Sequence, residues 1–325
     1  MKWWASVSAR VLLVVALLVL SAATAHGQRL VRIGVLSEGF GPTPWMVGLR
    51  EGLSELGYRE RRDFVLGIRF TRGDPGELAA AAREMVDQKV DLLAVGAGPA
   101  GHAAHAATSR IPIVVVGGGD PVELGLVRSY ARPGGNITGV VTHDLELAPK
   151  RLEILHGIVP GLKRVLFVHD PEDSYTRREL NGYREAARRL DISLVERPAR
   201  TRVEAQAAFA GLRRGEVHGI LAPWTMSFNI PGLALEAGTK LGFPTMFSEG
   251  FYVETGGLAS YSPDLHAVGR QSARLVDKII RGTPPADIPI EVDNRIQFSL
   301  NLKVAHTIGL TVPPEMVLRA SRVLQ

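Results

Sequence analysis

An α/β fold of two similar lobes, each a doubly wound parallel sheet, is predicted by three observations. The chain runs twice through the order strand, helix, strand, helix, strand, helix, strand. Its strands are apolar on both faces, as in Ile111–Gly117 (IPIVVVG) and Arg164–Val168 (RVLFV), which suits parallel strands covered by helices on each side. Its helices are apolar on one side only: Val47, Leu49, Leu53 and Leu56 recur at helical spacing among Arg50, Glu51 and Glu55. Two copies of such a unit make two domains rather than a solenoid, and the chain is long enough for each to bury its own core.

In the first copy the apolar runs place strands at Val31–Leu36, Asp63–Phe70, Asp91–Val95 and Ile111–Gly117. Between them, proline-led amphipathic stretches place helices at Pro44–Leu56, Pro75–Gln88 and Pro99–Thr108. The second copy reads as strands at Arg164–His169, Ile192–Arg197, Gly219–Ala222 and Pro244–Ser248, with helices at Tyr175–Leu190, Arg202–Arg214 and Pro231–Leu241. Each copy closes on similar wording, ARPGGNITGV within Gly125–Val140 and TGGLASYSPDL over Thr255–Leu265.

Ahead of the first strand, Lys2 and Arg10 flank a start that runs into ten apolar residues, Val11–Leu20, and then Ala23-Thr24-Ala25. This is the pattern of a cleaved export signal, with the cut after Ala25, and the run is shorter than the ~20 residues a membrane span needs. A periplasmic protein is expected. The absence of cysteine excludes disulfides, thiolate metal sites and thiol catalysis together, and removes the residue a lipid anchor would need at the cleavage point. The formal charge of +5 includes Lys2 and Arg10, too mild a balance to argue for nucleic acid.

In doubly wound sheets ligands sit beyond the carboxyl ends of the strands, where helix amino termini also point. That rule nominates the loops Ser37–Thr43, Gly96–Gly101 and Gly117–Pro121 in the first lobe, and His169–Ser174, Pro223–Ser227 and Ser248–Phe251 in the second. Glycines there let a ligand approach backbone N–H groups, which at a helix start suit an anion. Trp224 offers a large flat face within one of these loops. Phe40 and Trp45 lie towards the facing edge, with Trp45 in a helical pattern that suits the core.

The wording GDPVELGLVRSYARPGGNITGV from Gly119 and LRRGEVHGILAP from Leu212 resembles the ABC-transporter substrate-binding proteins of the tryptophan and tyrosine type. LREGLSELGYRERRDF from Leu49, ATSRIPIVVV from Ala107, GGLASYSPDL from Gly256 and LNLKVAHTIGLTVPPEMVLRA from Leu300 are similar to the same family, in its order. The resemblance implies a type I periplasmic-binding fold, with two lobes joined by three crossovers that close on a small ligand and deliver it to the transmembrane subunits of a permease. It implies a monomer, no cofactor, no metal and no nucleic-acid partner. It also divides the chain into a leader (residues 1–25), a first lobe (26–141 with 258–285) and a second lobe (142–257 with 286–325), the helix Asp264–Ile280 falling to the first.

Carried over from the resemblance, Ser37, Glu38, Gly98, Pro99 and Asp120 are ligand candidates in the first lobe. His169, Asp170, Ser174, Trp224, Thr225, Ser248 and Glu249, all in the cleft loops, are the candidates in the second. The chain departs from the family at three places. His169-Asp170-Pro171 stands where Asn-Pro is usual, Pro223-Trp224-Thr225 where an aspartate is frequent, and Tyr261-Ser262 where Tyr-Gly is usual. A changed pocket follows from these departures, while the resemblance and Trp224 imply an aromatic amino acid or an aromatic or other organic acid in preference to a sugar.

Two other function classes share features with this sequence. Gly96–Gly101 spells GxGxxG with Asp120 some 20 residues on, as in a nicotinamide-dependent enzyme, but it follows the third strand of its lobe, whereas a dinucleotide fingerprint opens the fold. No GxSxG or HExxH is present, and His102 with His105 makes too few ligands for a metal. A periplasmic sensor docking on a receptor would use the same lobes and cleft, so residues alone do not separate it from a transporter component.

Overall fold

The computed structural model describes residues 30–213 and 215–325. The leader expected over residues 1–25, and Arg214 at the end of one predicted helix, lie outside them. The first half of the chain supplies β1 (Val31–Ser37), α1 (Pro44–Glu55), β2 (Phe64–Phe70), α2 (Pro75–Asp87), β3 (Leu92–Val95), α3 (Pro99–Ala107), β4 (Ile113–Val116) and β5 (Ile137–Val141). The second half supplies α4 (Ala148–Ile158), β6 (Arg164–His169), α5 (Ser174–Leu190), β7 (Ser193–Pro198), α6 (Arg202–Ala210), β8 (Gly219–Leu221), α7 (Ile230–Leu241) and β9 (Thr245–Phe247). It continues through α8 (Phe251–Glu254), β10 (Ala259–Pro263), α9 (Leu265–Ile280), β11 (Glu291–Val292), β12 (Ile296–Asn301), α10 (Leu302–Thr307), α11 (Pro314–Arg319) and β13 (Arg322–Leu324). Among the described residues no helix is long and apolar enough to cross a membrane.

The first sheet has the order β11-β5-β4-β3-β1-β2 and the second β13-β12-β10-β9-β8-β6-β7. Both therefore contain the same doubly wound run, with the order reversing between β1 and β3 in one and between β6 and β8 in the other. Pairing is parallel throughout except for β10 with β12. Alternate residues of each strand feed two apolar layers. Ile33, Leu92 and Val114 pack under α1 and α9, while Leu93, Val95 and Ile113 pack under α2 and α3. Val165 and Phe167 face α4 and α5, whereas Leu166 and Val168 face α6 and α7.

The sheets place two seams differently from the expected boundaries. The resemblance puts residues 258–285 in the first lobe, but β10 is a strand of the second sheet, paired with β9 through Ala259↔Met246 and Ser260↔Phe247. The chain leaves that sheet only after Pro263. The resemblance puts residues 286–325 in the second lobe, yet β11 pairs with β5 at the edge of the first sheet, Glu291↔Val140 and Val292↔Val141. A strand pair made across lobes carries no local composition change, so the boundary is set by register. The intervening α9 packs on α1 through Val268, Leu275, Leu49 and Leu53, with His266 to Glu51 and Arg270 to Glu55 both at 2.8 Å along the exposed side.

Candidate functional site

The two sheets point their carboxyl edges at one another, and a cavity of about 290 Å³ lies between them, near the lower end of the ~300–1,000 Å³ usual for small-molecule sites. From the first lobe it is lined by the end of β1 (Leu36, Ser37, Glu38), the following loop with Phe40 and Thr43, and Trp45 at the start of α1. From the second come Trp224, Met226 and Asn229 after β8, Glu249 after β9, and Phe251 and Tyr252 of α8. Phe40 and Phe251 are partly exposed at its edges.

The lobes touch on both sides of this cavity. The Phe228 N–H donates to Gly73 O at 2.7 Å, Arg202 Nη2 donates to Arg72 O at 2.9 Å, and Arg178 pairs with Glu123. The Trp224 ring reaches the first lobe so closely that a Cβ on Gly98 would stand 3.1 Å from its Cζ3. These contacts describe a closed arrangement. Phe228 and Asn229 hold it with φ of 54° and 59°, a left-handed backbone that side-chain-bearing residues adopt only under constraint.

Trp224 is positioned from beneath. Its ring packs on Tyr175 with centroids 4.6 Å apart, and its backbone N–H donates to Glu179 Oε2 at 3.0 Å. Glu179 in turn accepts from Arg151 Nη1 at 3.1 Å and from Tyr183 Oη at 3.2 Å. Arg151 Nε donates to Tyr261 O at 2.9 Å, so one buried guanidinium ties β10, beside a crossover, to the loop that carries Trp224. Burial pushes the Glu179 carboxyl up to about 7, against the pull of Arg151.

Two carboxyls face the cavity. Glu38 Oε1 accepts from the Ala100 N–H at 3.3 Å, at the start of α3, and the Met226 backbone N–H donates to Glu38 from the opposite lobe. Burial, reinforced by Asp173 and Glu249, raises Glu38 to about 7. Glu249 is also pushed up to about 7, by burial first and by Asp144 second, with Arg151 opposing. No lysine, arginine or histidine is among the lining residues. The α3 amino terminus, expected to receive an anion, is therefore already occupied by the protein's own Glu38.

Of the sequence candidates, Ser37, Glu38, Trp224 and Glu249 line this cavity. Gly98 caps the start of α3 beneath the Trp224 ring. Pro99 and Asp170 line a smaller cavity of about 190 Å³ that shares Glu38. The others are turned elsewhere. Asp120 folds back on its own loop, accepting from Val122 N–H at 2.7 Å. His169 and Ser174 border a groove on the outer face of α5, and the His169 ring stacks on Phe167 at 5.8 Å. Thr225 shares a hydrogen bond with Thr176 at 2.7 Å, and Ser248 Oγ donates to Pro223 O at 3.4 Å. Small polar residues at strand ends satisfy their own turns as readily as they meet a ligand, which is why that signal over-selects.

The loop ranges missed Asn229, Tyr252 and Leu265, all of which line the cavity. Asn229 and Tyr252 follow the nominated loops within two residues. Leu265 opens α9, a helix that enters the site only because it returns from the other lobe. Among the described residues no group of three metal-ligating side chains is present.

A family model described as ABC transporter substrate binding protein matches residues 31–324. A relative described as a tyrosine-binding protein from Clostridioides difficile is 25% identical over 256 residues, covering 78% of this chain and 73% of that protein. Among solved structures, a conserved domain protein from Vibrio cholerae is similar at a TM-score of 0.79 and 25% identity, over 91% of this chain and 100% of that one. An ABC domain in complex with L-Trp from Streptococcus pneumoniae has the same fold, with a TM-score of 0.78 and 24% identity over 91% of this chain and 100% of that one.

Proposed function

The chain belongs to the ABC transporter substrate-binding protein family, a family of solute-binding proteins rather than enzymes, and from that membership we propose that it is the periplasmic capture component of an importer. It takes a small organic solute with an apolar body, closes its lobes over it and presents the closed form to permease subunits. The observation that carries this reading is the cavity at the carboxyl edges of two opposed sheets, with side chains contributed by both. A ligand held by both faces stabilises the closed state because only there does it meet both sets of loops. The tyrosine-binding relative and the aromatic lining favour a ring-bearing solute. Removal of an export signal would leave the protein in the periplasm, where such capture occurs.

The test is a thermal-shift screen against amino acids, amines, organic acids and sugars, followed by transport in cells lacking the gene. A ligand that binds only the folded state raises the melting temperature with concentration. Trp45 and Trp224 both line the cavity, so their fluorescence reports occupancy directly. Trp224→Ala should lower affinity at least tenfold with the protein still folded; unchanged affinity would remove the cavity from the reading. Unimpaired uptake in the deletion strain would remove the importer role.

A further inference from the structure

We infer that Tyr175 is a brake on closure: bringing the lobes together seals its hydroxyl from water without giving it a hydrogen-bond partner, so the empty cleft is held open until a ligand outweighs that cost. This rests on the capture reading and adds to it what keeps the lobes apart when nothing is bound.

Tyr175 is the second residue of α5 and is 2% exposed. Its ring lies between Trp224, with centroids 4.6 Å apart, and the first lobe. A Cβ on Gly119, in the loop after β4, would stand 2.9 Å from Tyr175 Cε2 and 3.6 Å from its Oη. The first lobe therefore covers the edge that carries the hydroxyl, as Gly98 covers the Trp224 ring beside it. Neither Tyr175 Oη nor Trp224 Nε1 has a hydrogen-bond partner among the described residues, and both atoms are sealed from solvent. A donor shut away from water with no partner loses its hydration and gains nothing in return, and native interiors hold few such groups.

The interior behind Tyr175 gives it no relief. Burial first, then the charges of Asp144 and Glu179, push the Tyr175 hydroxyl up, yet neither carboxylate comes within hydrogen-bond reach of it. Asp144, in the segment that crosses from β5 to α4, leaves its own Oδ1 unpartnered, facing Arg151 Nη2 at 3.9 Å, too far for a hydrogen bond. Nor does an occupant of the cavity supply the missing partner, because Tyr175 is not among the lining residues. The cost thus falls on the closed arrangement whatever the cavity holds. Opening lifts Gly119 away and lets water return to the hydroxyl, which lowers the closed fraction and, with it, the apparent affinity.

The experiment is single-molecule energy transfer on the ligand-free protein. The chain has no cysteine, so dyes on Val122→Cys in the first lobe and Val203→Cys in the second, both exposed positions, report the lobe separation alone. Tyr175→Phe keeps the ring and its packing and removes only the unpartnered hydroxyl. The closed fraction should rise at least about threefold, the lower end of what one unsatisfied buried donor costs. Tyr183→Phe is the control, because its hydroxyl is partnered, donating to Glu179 Oε1 at 3.2 Å; it should not raise the closed fraction. An unchanged closed fraction in Tyr175→Phe, or an equal rise in Tyr183→Phe, overturns the brake and leaves the capture reading standing. If no compound of the thermal-shift screen raises the closed fraction of the protein with Tyr175 intact, the capture reading falls, while the comparison of the two ligand-free variants still decides the brake.

Discussion

The Arg151 guanidinium stands 3.1 Å from the Glu179 carboxylate with neither side chain exposed to solvent, and the free oxygen of that carboxylate holds the Trp224 backbone N–H. Removing one member of a buried pair leaves the other uncompensated, which costs about 3–5 kcal/mol. Arg151→Ala should therefore lower the unfolding free energy by about that amount in denaturant titrations. Arg151→Met with Glu179→Leu should recover only part of the stability, since buried Asp144 also loses its ion-pair partner at 3.9 Å, yet still bind ligand weakly, because the Trp224 loop has lost its anchor. Full affinity in the stable double variant would show that Glu179 does not position Trp224.

Glu38, Glu179 and Glu249 are each raised from the ordinary carboxylate value to about 7. A group raised in the folded state binds its proton more tightly there than in the unfolded chain, so its stabilising contribution is complete below the unfolded value and is lost as pH rises through the folded one. The ligand-free protein should lose melting temperature between about pH 4.5 and pH 7. Glu38→Gln with Glu249→Gln should flatten part of that slope, Glu179, Asp144 and Asp173 carrying the rest. A melting temperature that climbs over this window would contradict the assigned environments.

Closure depends on a close backbone approach at Gly73. Its N–H and carbonyl sit at a left-handed φ of 69°, and a Cβ there would lie 2.1 Å from Met226 O in the facing lobe. Gly73→Ala should hold the lobes apart. Small-angle scattering should then show a larger radius of gyration with ligand present, and affinity should drop at least tenfold, while the sheets of each lobe stay intact by circular dichroism. Normal compaction on ligand addition would show that this approach is dispensable.

Asp120 is expected to behave as a turn residue. Its carboxylate accepts from the Val122 and Glu123 N–H groups at 2.7 and 3.3 Å, a local arrangement whose loss costs about 1 kcal/mol. Asp120→Ala should lower stability by roughly that amount and leave ligand affinity unchanged. A large loss of affinity would return this residue to the site.

Much of the architecture is legible before any coordinates. Apolar runs such as Ile113–Val116 and the one-sided helices around them carry their periodicity locally, so strand and helix order follow from neighbours in sequence. The placement of the cleft follows too, because the carboxyl ends of parallel strands all face one way. The helix α4 is not legible in the sequence because Arg151 occupies a fully buried position on it, which breaks the apolar stripe by which helices are recognised.

The amino-acid sequence by itself determined the two-lobed plan and the loops that could meet a ligand, since these rest on local periodicity, glycine and proline punctuation and composition. Tertiary structure decided which of those loop residues share a cavity. Glu38 and Glu249 meet there while Asp120, His169 and Ser248 do not, because strand register and lobe closure, not position along the chain, fix which side chains face the same enclosed space. It also decided the electrostatics of that space, since how a carboxylate is stabilised depends on partners distant along the chain, as Glu38 and Ala100 are, 62 residues apart.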